Sequence, residues 1–514
     1  MRSSTANPEV AVPQSVVIVC SAIAALVGTA AIILTEPGTG VMIFAAAAAP
    51  LLALFVLTKP RVGLFALVFL APYVDVLKTA SLGVTFRFNE IFGLLLFVVA
   101  VCHVLKTKQR FKVGTFDLFV FGLLAVMAAS AVVNLDNLPS EERLRRIPTA
   151  WIGVTGVLDT PQMATCKKLA QALVAFAAYF AIRNLITTWH TWRKAVATLL
   201  VSSLIVSAWS ILNLAAFTAG IQNGLGLTVQ NIWYSNDAPR IRGTLSEPSF
   251  FANFLLMVIP VALFCSVRGT RLIGRRWDIP AALVLCVTLV LTFSGGGWVV
   301  FAVQVALMLG IFLRYNLPIG RLCMAFLAVT VVISIALMAV ALFTNMDYGK
   351  LAIDNWNKIT SLLSTGVGSG RRVAPDVGFM MFRDHPLLGV GPGRFMTFEY
   401  DYLLRLGFRG EPPHSSLYAG VMGELGLLGA LMVLGLFTTA VCTTLRWAAR
   451  APHQLTRSIL WGLGTAFLAM SVHYLAHDIL WWPYVWVLFA LAVSGAGIAR
   501  ELTQNQCTNW EADR

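Results

Sequence analysis

Pro412-Pro413-His414-Ser415-Ser416-Leu417-Tyr418-Ala419-Gly420-Val421-Met422-Gly423-Glu424-Leu425-Gly426-Leu427-Leu428-Gly429 passes within one turn from a polar loop into an apolar run that continues to residue 444. About 20 apolar residues suffice for a helix to cross a hydrocarbon core of about 30 Å, so this stretch reads as the mouth of a membrane helix. Comparable runs recur at 15–35, 40–58, 62–77, 90–105, 114–133, 166–185, 195–217, 248–267, 279–293, 296–313, 322–343, 458–475 and 479–498. With 58% hydrophobic and 12% charged residues in 514, and a mean hydropathy of +0.77, the chain has more apolar surface than a soluble fold can bury. The expected fold class is all-α: a polytopic membrane protein of about fourteen transmembrane helices, twelve to fourteen fitting the pattern. The first run is long and has no clear small-residue cleavage site, so it is expected to be retained.

Lys and Arg placement orients these spans. A cytoplasmic N-terminus puts Lys59 and Arg61, Lys106 to Lys112, Arg193-Lys194, Arg268 to Arg276, Arg314 and Arg321, and Arg446 to Arg457 on one side. That side then carries +15 and the outer side −1, which sum to the net charge of +14. A pI near 9.7 is thereby explained by basic loops against an anionic leaflet, with no nucleic acid as a partner. Both termini fall on the cytoplasmic side. The eight cysteines are scattered singly without a C-x-x-C, and read as apolar filler.

The simplest domain parsing is one transmembrane domain, 1–514, with a cap loop at 344–415. Outer segments also lie at 79–89, 134–165 and 218–247. In the cap, amphipathic stretches at 351–363 and 374–383 and the aromatic-rich Phe395 to Tyr402 predict short helices.

Polar residues that could do chemistry gather in and around that cap. His414 stands just before Ser415 and Ser416, good N-cap residues for the helix beginning there. A helix N-terminus and nearby arginines disfavour the imidazolium, so the ring should stay neutral and able to take a proton from a sugar hydroxyl. The other reading is an interfacial histidine bonded to loop backbone. Glu424 lies ten residues further, roughly 15 Å along a helix. Its depth favours a structural role in a tight helix crossing over direct catalysis, because Gly420, Gly423, Gly426 and Gly429 make a smooth stripe beside it. Arg240, Arg242, Arg371, Arg372 and Arg394 are outer-side cations whose planar forks suit phosphate oxygens; headgroup snorkelling, or pairing with Glu247 and Asp376, is the alternative. Gly389-Val390-Gly391-Pro392-Gly393 could form an anion-holding backbone nest or a plain turn, and lacks the Lys-Ser/Thr ending of a Walker loop. Glu399-Tyr400-Asp401 reads as a solvated or salt-bridged face and no metal is assigned to it. His473, His477 and Asp478, with Trp481 and Trp482, mark the outer end of the last hairpin; the tryptophans read as interface anchors, and the His-Asp step as a candidate wall of the same outer cleft.

Taken in order, these features resemble the O-antigen ligase and polymerase superfamily of bacterial membrane glycosyltransferases. The resemblance covers roughly 230–445. It rests on Arg242-Gly243-Thr244…Glu247-Pro248, an arginine (Arg371 or Arg372) in a large late outer loop, Pro386…Gly389-x-Gly391-x-Gly393-x-Phe395, and His414-Ser415…Glu424-x-Gly426-x-x-Gly429. Two departures stand out: Ser415 occupies a position often held by Asn, and Ser294-Gly295-Gly296-Gly297 replaces a Ser-Arg turn. The resemblance implies a C-type membrane glycosyltransferase fold in the bacterial inner membrane, with a periplasmic site. It also implies an undecaprenyl-pyrophosphate-linked glycan donor, a glycan or lipid-linked glycan acceptor, and no nucleotide sugar, metal or other cofactor. The expected catalytic set is His414, Arg371, Arg372 and Arg242. Substrate contacts fall to Arg240, Gly391, Gly393, Arg394 and Tyr418, and structural support to Glu247, Glu424, Gly426 and Gly429. Polymerisation of O-antigen or exopolysaccharide is the favoured activity and ligation to lipid A-core the alternative. A lipid-linked glycan transporter is the reading from another class; it would place charges and broken helices near the midplane and often repeat symmetry.

Overall fold

The computed structural model describes chiefly residues 58–74, 78–81, 84–108, 111–136, 161–218, 232–235, 238–274, 277–315, 370–407 and 416–512. Its helices are α1 (Pro60–Leu70), α2 (Phe88–Thr107), α3 (Thr115–Val133), α4 (Pro161–Leu185), α5 (Trp189–Thr218), α6 (Pro248–Val267), α7 (Asp278–Leu291), α8 (Gly295–Arg314), α9 (Gly370–Asp384), α10 (Phe395–Arg405), α11 (Leu417–Arg450), α12 (Gln454–His473) and α13 (Pro483–Ala512). Among the described residues, nine of these helices are long and apolar enough to cross a membrane, and α1 and α7 are shorter apolar helices. The protein is an all-α polytopic membrane protein. The expected spans at 15–35, 40–58 and 322–343 lie outside the described residues, as does most of the expected cap helix at 351–363.

Two short antiparallel hairpins interrupt the outer segments, β1 (Lys78–Ser81) with β2 (Val84–Arg87) and β3 (Ile232–Ser235) with β4 (Ala238–Ile241). An all-helical reading omits them. The β-branched and aromatic residues Val84, Thr85, Phe86, Ile232, Trp233 and Tyr234 favour a pleated strand, and the ladder satisfies backbone groups that a loop would leave to water.

The centre of the bundle is α6. Pro248 occupies its first turn, where a missing N–H costs nothing, after an extended Glu247. Nearly every side chain from Phe251 to Phe264 is buried, as expected for a helix apolar all round. Gly462 of α12 lets that helix lie directly on the backbone of Pro260 and Val261; a Cβ there would fall 2.5 Å from the Val261 Cα.

Helix ends segregate by chemistry. On one face, the Lys112 backbone N–H donates to Asn184 Oδ1 at 3.1 Å and Lys112 Nζ to the Ile186 carbonyl at 2.9 Å. The Trp189 indole there donates to Thr456, and Asp117 accepts from Arg183 and from Tyr179. On the opposite face stand Ser130 and Asn134, Thr165 and Lys168, Arg240 to Asn253, Ser416 and His473 to Asp478. This grouping agrees with the alternation of span direction read from the Lys and Arg pattern.

The cap helices sit on the second face. Val377, Met381, Val390, Phe395, Phe398, Tyr402 and Leu403 form their own small core. Asp384 accepts from Tyr402 (3.1 Å) and Arg405 (2.9 Å), tying α9 to α10.

Candidate active site

Helix α11 is broken where it meets the cap. Gly426 has φ +62° and ψ −155°, conformational space open in practice to glycine alone. The break frees backbone groups that must find partners, and the loop between α9 and α10 supplies them. Leu427 N donates to the Pro386 carbonyl (2.8 Å) and Leu428 N to that of Leu387 (3.3 Å). In return the Gly423 and Glu424 carbonyls accept from Val390 N (2.9 Å) and Gly391 N (3.1 Å). Ser130 Oγ of α3 donates to the Leu388 carbonyl at 2.6 Å and Asn134 Nδ2 to that of Gly389 at 3.1 Å. The glycine stripe of α11 thus receives a loop at its break, and one helix above it: Gly378 of α9 would carry a Cβ 2.7 Å from the Ala419 carbonyl oxygen.

The loop amides do hold a carboxyl group, and it belongs to the chain. The Glu424 carboxylate accepts from Phe395 N at 3.2 Å and from Gly393 N, so it sits at the N-terminus of α10, where a negative charge is favoured. Gly391, Gly393 and Arg394, expected against substrate, are spent on this construction. A Cβ on Gly393 would lie 2.5 Å from the Ala164 carbonyl oxygen of α4. Arg394 is wholly buried; its Nε donates to Thr165 Oγ1 at 2.9 Å and a terminal nitrogen to the Asn134 carbonyl at 2.5 Å. The physical reason is packing: a loop threaded between α3, α4 and α11 buries its own polar groups, which must then bond to one another. Gly429, one turn past the break, would place a Cβ 2.1 Å from that of Leu425.

Glu399 departs from its expected solvated or salt-bridged setting. It is fully buried in the cap, both carboxyl oxygens are without a hydrogen-bond partner among the described residues, and burial pushes its pKa up to about 8. The period of α10 explains this, since Phe395, Phe398, Glu399 and Tyr402 share its inward face.

His414 lies outside the described residues, as do the side chains of Arg371 and Arg372, whose backbone forms the first turn of α9. The structure does show what surrounds the helix start two residues beyond His414. Ser416 caps α11, its Oγ accepting from Ala419 N at 3.0 Å. Leu417 N donates to the carbonyls of Tyr474 (3.0 Å) and His477 (3.2 Å), and Tyr418 gives its hydroxyl to the Ser471 carbonyl at 2.8 Å. The turn after α12 is therefore bonded to the first residue of α11. On that turn the His473 and His477 rings stack at 4.7 Å, and His473 Nδ1 lies 3.1 Å from Asn253 Nδ2 of α6. Phe250, one turn earlier in α6, meets His477 at 6.2 Å and Trp482 at 5.0 Å. The loop just before α6 carries Arg242, which donates to the Ser246 carbonyl at 3.0 Å, and Glu247, which accepts from Ser249 at 3.0 Å. Arg240, on β4, donates to the Thr292 carbonyl at the end of α7 at 3.0 Å.

Sequence reasoning missed Lys168. Its ammonium stands 3.3 Å from Asp478 Oδ2, 5.2 Å over the Trp481 ring, and within electrostatic reach of Glu424. It therefore links the His477 turn to the inserted loop. The available signal was a lysine inside a predicted span, which defaults to a functional reading. Lys168 and Asp478 are mostly shielded, at 15% and 21% exposure, so removing one partner leaves the other charged and uncompensated. Lys168→Met is expected to destabilise the protein by about 3 kcal/mol, and the Lys168→Met/Asp478→Asn double variant by distinctly less. Thermal unfolding of the purified variants measures both; equal losses would refute a coupled pair.

Comparison with known families adds one observation. Residues 280–434 match the family model described as O-Antigen ligase. The match takes in α7, α8, both cap helices, the inserted loop and the broken first half of α11; α3, α4, the start of α6 and the turn after α12, which complete the site, lie outside it. It supports the O-antigen ligase and polymerase superfamily, and glycan transfer of that general kind by a membrane protein acting on lipid-linked glycans. None of the curated proteins compared matches the chain.

Proposed function

We propose that this O-antigen ligase-type protein is an inverting glycosyltransferase of the bacterial inner membrane, with a periplasmic site and both termini in the cytoplasm. Its donor is a glycan on undecaprenyl pyrophosphate. An acceptor sugar hydroxyl gives its proton to His414 and attacks the anomeric carbon. The bond from that carbon to the pyrophosphate oxygen breaks, and the leaving pyrophosphate keeps the electron pair. Fixed cations must meet the charge that grows on it; Arg242 and Arg371 or Arg372 are suited to this, with Arg240 at the rim of the same face. Polymerisation of O-antigen or exopolysaccharide is the favoured reaction.

One observation carries this reading. The start of α11, Leu417, three residues from His414, is hydrogen-bonded to the His477 turn, and that turn packs on the start of α6, which follows the loop that carries Arg242. Segments distant in sequence, those carrying the start of α11, His477 and the loop before α6, are thus gathered on one face.

His414→Ala, inserted and folded normally, should lower glycan transfer by about 10²-fold or more, the usual worth of a general base. Arg371→Ala and Arg372→Ala, made separately, identify which guanidinium meets the pyrophosphate. The assay is product formation from purified protein and lipid-linked donor, where a carrier would give none; undiminished product from His414→Ala would remove the base assignment. Complementation of strains lacking one enzyme, read as polysaccharide ladders, tests the polymerase: restored long chains support it, whereas restored attachment of preformed chains would identify a ligase.

A further inference from the structure

On the face opposite the cap, three helix ends close on one another. Phe264 of α6 meets Phe312 of α8 at 5.5 Å, and Tyr315, just past α8, meets Trp461 of α12 at 4.9 Å. One turn beyond Phe264 stands Arg268, at the C-terminus of α6, and one turn before Trp461 stands Arg457. The two guanidiniums are near enough to repel. Arg457 is folded back beneath its helix, giving Nε (3.2 Å) and a terminal nitrogen (2.8 Å) to the Ala451 carbonyl. One terminal nitrogen of Arg268 is buried with no hydrogen-bond partner among the described residues.

Ordinary helix electrostatics explains only half of this. A cation suits the C-terminus of α6, but Arg457 sits in the first turn of α12, where positive charge is disfavoured. The acid close by in sequence does not resolve the repulsion, because Asp278 is occupied: its two oxygens accept from Leu272 N (3.3 Å) and Ile273 N (3.1 Å). Burial first, and the like charge of Arg457 second, pull the Arg268 guanidinium below its usual range. Two guanidiniums within electrostatic reach, a buried donor without acceptor among the described residues and an engaged carboxylate are what a bridging phosphate would complete. The depth selects the source of that phosphate. Tyr315 and Trp277, 44% and 67% exposed, stand at this level as interfacial aromatics do, and phospholipid headgroups lie there.

We infer that Arg268 and Arg457 form a binding site for the phosphodiester of an anionic phospholipid, on the opposite face of the bundle from the candidate active site. The lipid's phosphate bridges the two guanidiniums and its acyl chains run along the exposed side of α8, the least buried of the three helices. Bound lipid then holds together two helix ends, of α6 and α12, that otherwise repel.

The test compares full-length wild type, Arg268→Gln and Arg457→Gln in detergent, with phosphatidylglycerol, phosphatidylethanolamine or inorganic phosphate added. Native mass spectrometry should show phosphatidylglycerol retained by the wild type, and its bound fraction lowered roughly tenfold in either variant, the loss expected for one charge-assisted hydrogen-bonded contact. Arg446→Gln, which removes an equal charge beside Trp447, should bind as wild type does. Thermal unfolding gives a second readout. Without lipid, Arg268→Gln should be at least as stable as wild type, because repulsion is relieved; with phosphatidylglycerol only the wild type and Arg446→Gln should gain. Equal lipid retention in all variants overturns the site. Lower stability of Arg268→Gln with and without lipid overturns it as well, showing a structural arginine. Inorganic phosphate stabilising as strongly as phosphatidylglycerol overturns the lipid as the ligand.

Discussion

Gly389→Ala and Gly426→Ala will each leave little or no folded protein in the membrane. A Cβ on Gly389 would lie 2.3 Å from the Glu424 carbonyl carbon, and one on Gly426 would lie 2.5 Å from that of Leu387. These obstacles are backbone, so no rotamer change relieves them. Gly389 also has φ +67° and Gly426 φ +62°, which alone cost a side-chain-bearing residue about 1–3 kcal/mol. Separating the loop from α11 by even an ångström would stretch the four hydrogen bonds that Val390, Gly391, Leu427 and Leu428 make across the break, each worth about 1 kcal/mol and more when left unmade in an apolar surround. The combined loss is comparable with a total stability of about 5–15 kcal/mol. Gly310→Ala, whose added methyl would meet nothing within 4 Å, is the matched control. Monodisperse yield after detergent extraction measures the effect. Wild-type yield and melting temperature for Gly426→Ala would mean that the loop and the broken helix are not locked together.

Glu399→Gln should remove a pH dependence of stability that the wild type shows between about pH 4.5 and 8. The folded-state pKa of Glu399 is raised to about 8 by burial, so across that window the folded protein holds a proton that the unfolded chain has released. Stability therefore falls as pH rises, by about 1.4 kcal/mol per pH unit, and levels off above the folded pKa. The neutral amide of glutamine cannot ionise, so the variant should stay flat and at pH 7.5 be more stable by on the order of 4 kcal/mol. Glutamine keeps a buried polar head of similar size, so the comparison isolates the charge. Hydrogen exchange of the cap amides in 395–405, followed from pH 5 to pH 8, reads the effect locally with correction for intrinsic rates. Parallel curves for the two proteins would show that Glu399 is solvated or paired in solution.

The Glu399 case shows where sequence reading stopped. Glu399-Tyr400-Asp401 looks like any solvated acidic step, and only the packing of α10 on α9 buries the first of the three while leaving the last half-buried. Lys168 was legible as a lysine within a span, but its partner stands 310 positions later. Nothing in either segment announces the pair, because an ion pair depends on which helices become neighbours. The glycines around 389–393 were legible as a turn with exposed amides; what those amides hold was not, since their acceptors, Gly423 and Glu424, belong to another element.

The membrane fold itself needed no coordinates. Apolar runs long enough to cross a bilayer have one stable conformation in lipid, the one that satisfies every backbone group internally, and the Lys and Arg bias sets their alternation. Composition therefore determined the fold class, the positions of the spans that the structure describes, and the presence of helices in the cap. Tertiary structure alone decided the broken helix α11, the loop inserted into the break, the carboxylate at the start of α10 and the joining of the His477 turn to the helix mouth. Each of these is a bond between segments far apart in sequence, formed because a backbone group freed inside a membrane bundle must find its partner from whatever packs beside it.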